Sequence, residues 1–368
     1  MKIIQVCPRY YPNIGGVETH VKEISEALVK RGNDVEVVCT YSSHRLSEKD
    51  IINGVKVTRF WAFAPGEAYF FCPAMYFYLK GQDCDVVHAH SYHAFPALFA
   101  SLATRKNFVF TAHTFGANTS ILKNIMHMFY KHIAKYLIIN RSKIIISVTK
   151  KEMDILINKF NLSLKRIVYI PLPINIGNAI KKSNYNPPII KIGSLGRLSE
   201  EKNIEFLIFA FKLVKEKFRN CELYIAGDGP LKFKLQEISK HEKDIYFVGG
   251  LYHENALHFL STLDIFVLPS KFEVSSISSF EAMASGVPVI MTPVGELPYI
   301  FENGKHCLFA EIGDTNDLAE KIGTLIENRT LAMELGKNGQ IEVEKRDINR
   351  IIQNYIDIYI ELAKNSNL

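Results

Sequence analysis

The sequence predicts an α/β protein of two doubly wound, Rossmann-like parallel-sheet domains facing a cleft. Three observations carry this expectation. Short β-branched runs alternate with helical patterns along the chain, as strands joined by crossover helices do. The alternation comes as two series, separated by a segment rich in Pro, Asn and Gly over residues 171–188. The length, 368 residues, suffices for two cores. This places an N-terminal domain at 1–172, a linker at 173–188, a C-terminal domain at 189–345, and a terminal helix at 346–368 that is free to pack back on the first domain.

In order, "KIIQV" is a strand followed by a loop ending in "NIGG". The helical stretch "VETHVKEISEALVKRG" has Val17, Val21, Ile24 and Leu28 on one face and Gly32 as a C-terminal cap. "DVEVVCT", "DVVHAH", "NFVFTAH" and "SKIIISV" supply further strands. Before the last of these, "ILKNIMHMFYKHIAKYLIINRSK" predicts an amphipathic helix leading into a strand. Ile121, Ile125, Met128, Phe129, Ile133 and Tyr136 share one face, and Lys123, His127, Lys131 and Lys135 recur every fourth residue on another. The second series runs "IIKIGSLG", the helix "NIEFLIFAFKLVKEKF", "CELYIAG", a helix from about Pro230, "IYFVGG", a helix, "DIFVLPS", a helix ending before Gly286, and "PVIMTP".

Composition is that of an ordinary globular protein, with 48% hydrophobic and 22% charged residues. No apolar run approaches the roughly 18 residues of a membrane span. The start "MKIIQVCPRYYP" reads as a strand ending at Pro8 rather than a signal peptide. The six cysteines are scattered without metal-type spacing, which suits reduced thiols of a cytoplasmic protein. The net charge of +6 hides an asymmetry: residues 1–170 hold 22 Lys+Arg against 12 Asp+Glu, and residues 171–368 hold 22 against 26. From Val86 to Lys151 there are nine basic residues and no acidic one. Such a half implies an anionic partner. No recognition motif accompanies the charge, which sets nucleic acid aside. The aromatic stretch "FWAFAPGEAYFFCPAMYFYLK", Phe60 to Lys80, and the lysine face of 121–136 fit an anionic membrane surface. The alternative, two core-facing stripes with solvated lysines, stays open.

Ligands of open α/β sheets bind at the carboxyl ends of strands, so the residues delivered there are the candidates. Gly15 and Gly16 precede a helix, where backbone can approach an anion closely, although they lack the G-x-G-x-x-G dinucleotide signature. "GSLGRLSEEKN" places Arg197 and Lys202 around Ser199 as a helix cap, a fork and a point charge suited to a diphosphate. A basic loop paired with Glu200 or Glu201 would look the same. "PSKFEVSSISSFEAMASGVPV" sets Glu273 in a loop and Glu281 in the next helix, both able to accept hydrogen bonds from sugar hydroxyls. Between them a helix start near Ser276 to Ser278 offers backbone N–H groups to a phosphate, or Ser276 or Ser278 merely caps the helix and Glu281 decorates it. Asp83-x-Asp85 resembles a metal motif but opens a strand, at the end away from the expected site. His88, His90 and His93 lack a Cys or acid to complete a zinc set and read as solvent-edge or cleft-lining residues.

The "GG" pair, "GRLSEEKN", "AGDGP", "YFVGG", "DIFVLPS", and the Glu-x7-Glu spacing followed by "AMASGVPVI" together resemble the retaining, nucleotide-sugar-dependent glycosyltransferases of the GT-B fold, family 4. That family includes lipid-linked mannosyl- and glucosyltransferases. The resemblance spans nearly the whole chain in order. It implies a nucleotide diphosphate sugar (UDP-, GDP- or ADP-linked) as co-substrate, no cofactor, no metal, and a hexose as the group transferred. Gly15 and Gly16 would face the donor diphosphate, and Arg197 and Lys202 would neutralise the departing phosphate. Glu281 would hold the ribose and Glu273 the sugar hydroxyls, with Val248, Ser275, Ser276 and Ile277 also donor-binding. His113, in "FTAHTFG", matches the family's histidine near sugar and acceptor, although a His after a buried strand is otherwise a structural hydrogen-bonder. The acceptor would be lipid-linked and the protein peripheral at the inner face of the cell membrane. One departure is Val274-Ser275-Ser276 where the family has Gly-Phe-Gly-like residues, which keeps a catalytically silent sugar-nucleotide-binding or scaffold protein as the alternative.

Overall fold

A computed structural model of the protein describes residues 1–13, 15–41, 46–65, 69–92, 94–104, 107–113, 135–160, 162–182, 187–251, 253–273 and 276–365. The chain divides into two compact units: residues 1–173 with 348–368, and residues 174–347.

The first unit is built on β1 (Lys2–Val6), β2 (Asp34–Tyr41), β3 (Lys49–Ile52), β4 (Val55–Trp61), β5 (Val86–His90), β6 (Phe108–Thr111), β7 (Ile144–Ser147) and β8 (Ile167–Tyr169). They form one sheet in the order β3-β4-β2-β1-β5-β6-β7-β8, parallel except for β3, which runs antiparallel to β4. Successive side chains of a strand leave opposite faces, and both faces here are covered. Ile4, Val6, Val38, Val87, Phe108 and Phe110 pack with Met75, Leu79 and Ala97 on one side. Ile3, Val35, Val37, Val86, Val109 and Ile146 pack on the other with Val21, Ile24 and Leu28 of the helix Gly16–Lys30. Ile352, Tyr355 and Tyr359 of the terminal helix Ile348–Asn365 belong to that second core.

The second unit holds β9 (Ile190–Leu195), β10 (Cys221–Ala226), β11 (Ile245–Gly249), β12 (Ile265–Leu268), β13 (Val289–Met291) and β14 (Leu308–Phe309). The sheet order is β11-β10-β9-β12-β13-β14, parallel throughout. In each sheet the order reverses direction beside its first strand: between β1 and β5 in one, between β9 and β12 in the other. Neighbouring loops leave to opposite sides there, opening a crevice at the strands' carboxyl ends.

Several local expectations shift. The described stretch 173–182 of the segment expected as a linker has no long element, but it is packed on the second unit. Ile174 is buried with Phe266 and Phe280, Lys182 donates to Leu263 O at 2.6 Å and to the Asp264 carboxylate at 2.9 Å, and Lys182 N bonds Ser285 O. Its Pro and Asn residues exclude regular structure, yet backbone polar groups near a core still need partners. The helix expected from Pro230 begins at Lys232. Of the helix expected from Ile121 to Tyr136, residues 121–134 lie outside the described residues, and Lys135–Ile139 forms a π-helical turn. Among the described residues no helix is long and apolar enough to cross a membrane.

Candidate active site

In the second unit the loops after β9 and β12 meet. Lys202 Nζ lies 2.5 Å from Glu273 Oε1, which also accepts the Ser270 hydroxyl at 2.8 Å. Glu273 is buried, and a buried carboxylate needs such partners. The two loops are tied further by Lys271 N donating to Glu201 O, and the Thr292 hydroxyl fixes Ser270 O at 2.5 Å. Lys202 therefore pairs with Glu273, not with Glu200 or Glu201. Ser199 starts the 3-10 turn Glu200–Lys202 without capping it, because its hydroxyl donates to Glu201 Oε1 at 2.6 Å. Burial opposes the charged form of Glu201, but the bonds from Ser199 and its own N–H, with Lys202 and Arg197 close by, bring its pKa below the usual carboxylate value. Arg197 is exposed, and its side chain makes no hydrogen bond or ion pair among the described residues. A phosphate arriving here would meet one unpaired guanidinium and one ammonium already held in place.

The loop after β10 closes against the same region through its glycines. Gly227 sits at φ +136, and a Cβ there would stand 1.8 Å from Gly196 O. Leu198 N bonds Asp228 O and Leu231 N bonds Leu198 O, so "AGDGP" is a backbone-on-backbone support for the Arg197 loop. Its spacing is visible in the sequence, but its use is not, because that use depends on a neighbouring strand.

Helix Ile277–Ala284 follows Glu273. Ser276 is its N-cap, accepting from Ser279 N at 3.4 Å, and Gly286 at φ +81 ends it with Gly286 N donating to Met283 O. Ser276 is thus a cap by geometry, and its hydroxyl is committed. Ile277 is the first helical residue, and Glu281, half-buried, lies one turn further on. Val248, near the carboxyl end of edge strand β11, is exposed. Val274 and Ser275 lie outside the described residues.

In the first unit, Gly15 caps the helix Gly16–Lys30 with extended backbone, and a Cβ on it would run into Glu18 Oε2 at 2.4 Å. Glu18 in turn accepts from Arg9 Nε at 2.9 Å. Gly16 faces open space. Past β6, His113 is half-buried with backbone at φ +46, a conformation that costs a non-glycine residue on the order of 1–3 kcal/mol and collects at functional sites. Its Nε2 is 3.3 Å from His90 Nδ1, and its ring meets that of His20 edge-on with centroids 4.9 Å apart.

His88 and His90 are not solvent-edge residues. Both are fully buried in β5, which sits at the sheet centre between β1 and β6. His88 bonds Tyr359 Oη at 2.6 Å and Thr111 Oγ1 at 2.7 Å. His90 Nε2 meets Gln5 Oε1 at 2.8 Å. Burial holds His20 and His90 well below the usual imidazole pKa and brings His88 and His113 to about 3. All four rings are neutral at pH 7. Among the described residues, the histidines whose nitrogens converge are His20, His90 and His113, within 4.8 Å of one another. His93 is outside the described residues. His20 is absent from the sequence expectation, although it falls on the apolar stripe of Val17, Val21 and Ile24, where a polar residue signals a buried contact. Asp85 stands at the amino end of β5, accepting from Lys2 N at 2.7 Å. Lys123, His127 and Lys131 lie outside the described residues, as does the side chain of Lys135.

Two family models match in succession: "Glycosyltransferase Family 4" over residues 14–178 and "Glycosyl transferases group 1" over 175–342. An uncharacterized glycosyltransferase of Methanocaldococcus jannaschii is 29% identical over 96% of this chain and 97% of its own. A subunit of the human phosphatidylinositol N-acetylglucosaminyltransferase is 25% identical over 81% of this chain and 63% of its own. The GPI3 subunit of the Saccharomyces cerevisiae enzyme is 24% identical over 99% and 84%. Among solved structures, Anabaena HepE in complex with UDP superposes with a TM-score of 0.79 at 18% identity, over 98% of this chain and 100% of that one. Sucrose-phosphate synthase from Thermosynechococcus elongatus also gives 0.79 at 18%, over 98% and 99%.

Proposed function

The chain is a member of glycosyltransferase family 4, and from that premise we propose that it moves a hexose from a nucleotide diphosphate sugar to a lipid-linked acceptor, with retention at the anomeric carbon and without a metal ion. The observation that carries this reading is the Lys202–Glu273 pair beside the unpaired Arg197, at the point where the strand order of the second sheet reverses. Fixed cations suit a diphosphate on which negative charge builds as it leaves, and they act without reorganising. When phosphate oxygens draw Lys202 away, Glu273 is left able to accept from sugar hydroxyls. The helix start at Ile277 adds backbone N–H groups, and Glu281 takes the ribose. Of the first unit's residues, Gly15 and Gly16 serve the donor diphosphate and His113 the sugar and acceptor. No side-chain nucleophile is required if the acceptor attacks from the face the phosphate leaves and a phosphate oxygen takes its proton.

The lipid-linked acceptor is supported by the relatives named for phosphatidylinositol glycosylation and by the basic, aromatic first half. The UDP held by the Anabaena protein makes uridine donors the first to test. Sugar release or transfer from a UDP-sugar, compared among wild type, Arg197→Ala and Lys202→Ala, checks the reading; each substitution is expected to lower kcat about 100-fold or more. Wild-type rates in either variant would remove the phosphate role. A protein that binds the donor and never turns it over would be the catalytically silent binding protein instead.

A further inference from the structure

We propose that Gln5, His90 and Tyr359 form a buried hydrogen-bond relay that holds His113 in a single neutral tautomer, with the proton on Nε2 and the lone pair of Nδ1 left free for a sugar or acceptor hydroxyl. This rests on the placement of His113 in the site proposed above. The relay starts from one amide. Gln5 Oε1 is 2.8 Å from His90 Nε2, and Gln5 Nε2 donates to Tyr359 Oη at 3.3 Å. An amide oxygen only accepts, so His90 must carry its proton on Nε2, and a neutral ring then has a bare Nδ1. His113 Nε2, 3.3 Å from that nitrogen, must donate to it. His113 Nδ1 has no partner among the described residues.

The other end of the amide locks the arrangement. Having accepted from Gln5, the Tyr359 hydroxyl gives its own proton to His88 Nδ1 at 2.6 Å, and His88 Nε2 donates to Thr111 Oγ1 at 2.7 Å. Gln5, His88, His90, Thr111 and Tyr359 are all fully buried, so water cannot substitute for a missing partner. Burial keeps the rings neutral, which is the condition for a tautomer to exist. Reversing the single Gln5 amide would reverse every proton along the chain and put one on His113 Nδ1. Gln5, His90 and Tyr359 are therefore positioning residues, and the anchor of the relay lies in the terminal helix Ile348–Asn365.

The test is long-range proton–nitrogen NMR on the full chain labelled with 15N only in histidine, the His113 signals being assigned by their loss in His113→Gln. The expected spectrum shows a protonated Nε2 and a bare Nδ1. Gln5→Leu should give a mixture of His113 tautomers. Its kcat should fall about 100-fold with donor KM unchanged, while circular dichroism and melting confirm that the variant is folded. Gln5→Leu keeping one tautomer and full kcat while folded would overturn the relay. So would a wild-type His113 protonated on Nδ1, or zinc bound stoichiometrically by His20, His90 and His113 in place of these protons. A fully active His113→Gln would instead remove the role of His113 and leave the NMR outcome to judge the relay alone.

Discussion

Two lysine–carboxylate pairs in the second unit are alike in chemistry and opposite in circumstance. Lys182 and Asp264 are 4% and 2% exposed, and Asp264 also accepts from Lys191 N at 2.8 Å and lies 3.5 Å from Arg329. Nothing can reach that pair without unfolding it, so it acts on stability. Lys202 is 22% exposed, which leaves its ammonium open to a ligand that would replace Glu273. The two pairs should therefore respond differently to substitution. Asp264→Ala strands a buried ammonium and is expected to cost about 3 kcal/mol, or about 1.5 M in the urea midpoint of the second unit. Equilibrium unfolding followed by circular dichroism checks this. A loss comparable to that of an exposed pair, well under 1 kcal/mol, would mean that residues 174–182 are not held through Asp264.

At the scale of elements, legibility in the sequence depends on whether the signal is local. Helix 277–284 can be bounded because Ser276 and Gly286 are its own punctuation. The partner of Lys202 cannot be read that way, since Glu273 is 71 residues away and only the pairing of β9 with β12 brings it near. Strand β3 escapes because Lys49–Ile52 is mostly exposed and has no buried alternation. Helix Ala74–Lys80 escapes because aromatic residues cover most of its surface, leaving no polar face to set a period. That crowded surface has a consequence. Phe63, Phe71 and Phe77 are exposed at 60%, 44% and 72%, and Phe63 and Phe71 pair across an antiparallel bridge. Aromatic side chains left in water, in a sequence whose residues 86–151 carry nine basic and no acidic residues, suit the interface of an anionic bilayer. Vesicles containing anionic lipid should sediment the protein, and added salt or Lys123→Glu, Lys131→Glu and Lys135→Glu together should release it. Equal sedimentation of that triple variant would argue that the charge serves another partner.

For the whole molecule, the four neutral histidines make acid stability a property of one unit. His20, His88, His90 and His113 have folded-state pKa values below the ordinary imidazole value, those of His88 and His113 falling to about 3. In the unfolded chain each titrates near 6.5. Between these limits the unfolded state binds more protons, so stability is fully present above about pH 6.5 and drains as pH falls, by up to about 1.4 kcal/mol per pH unit for each ring. All four lie in the unit formed by residues 1–173 and 348–368. The chain's one tryptophan, Trp61, belongs to β4 of the first unit and reports on it alone. Urea unfolding followed by Trp61 fluorescence should therefore lose most of its midpoint between pH 7 and pH 5, with a net uptake of protons on unfolding. Replacing His88 by Gln should flatten that dependence even where it lowers stability at pH 7. A Trp61 midpoint equal at the two pH values would show that the rings are already charged in the folded state. It would also remove the neutral tautomers on which the relay to His113 depends.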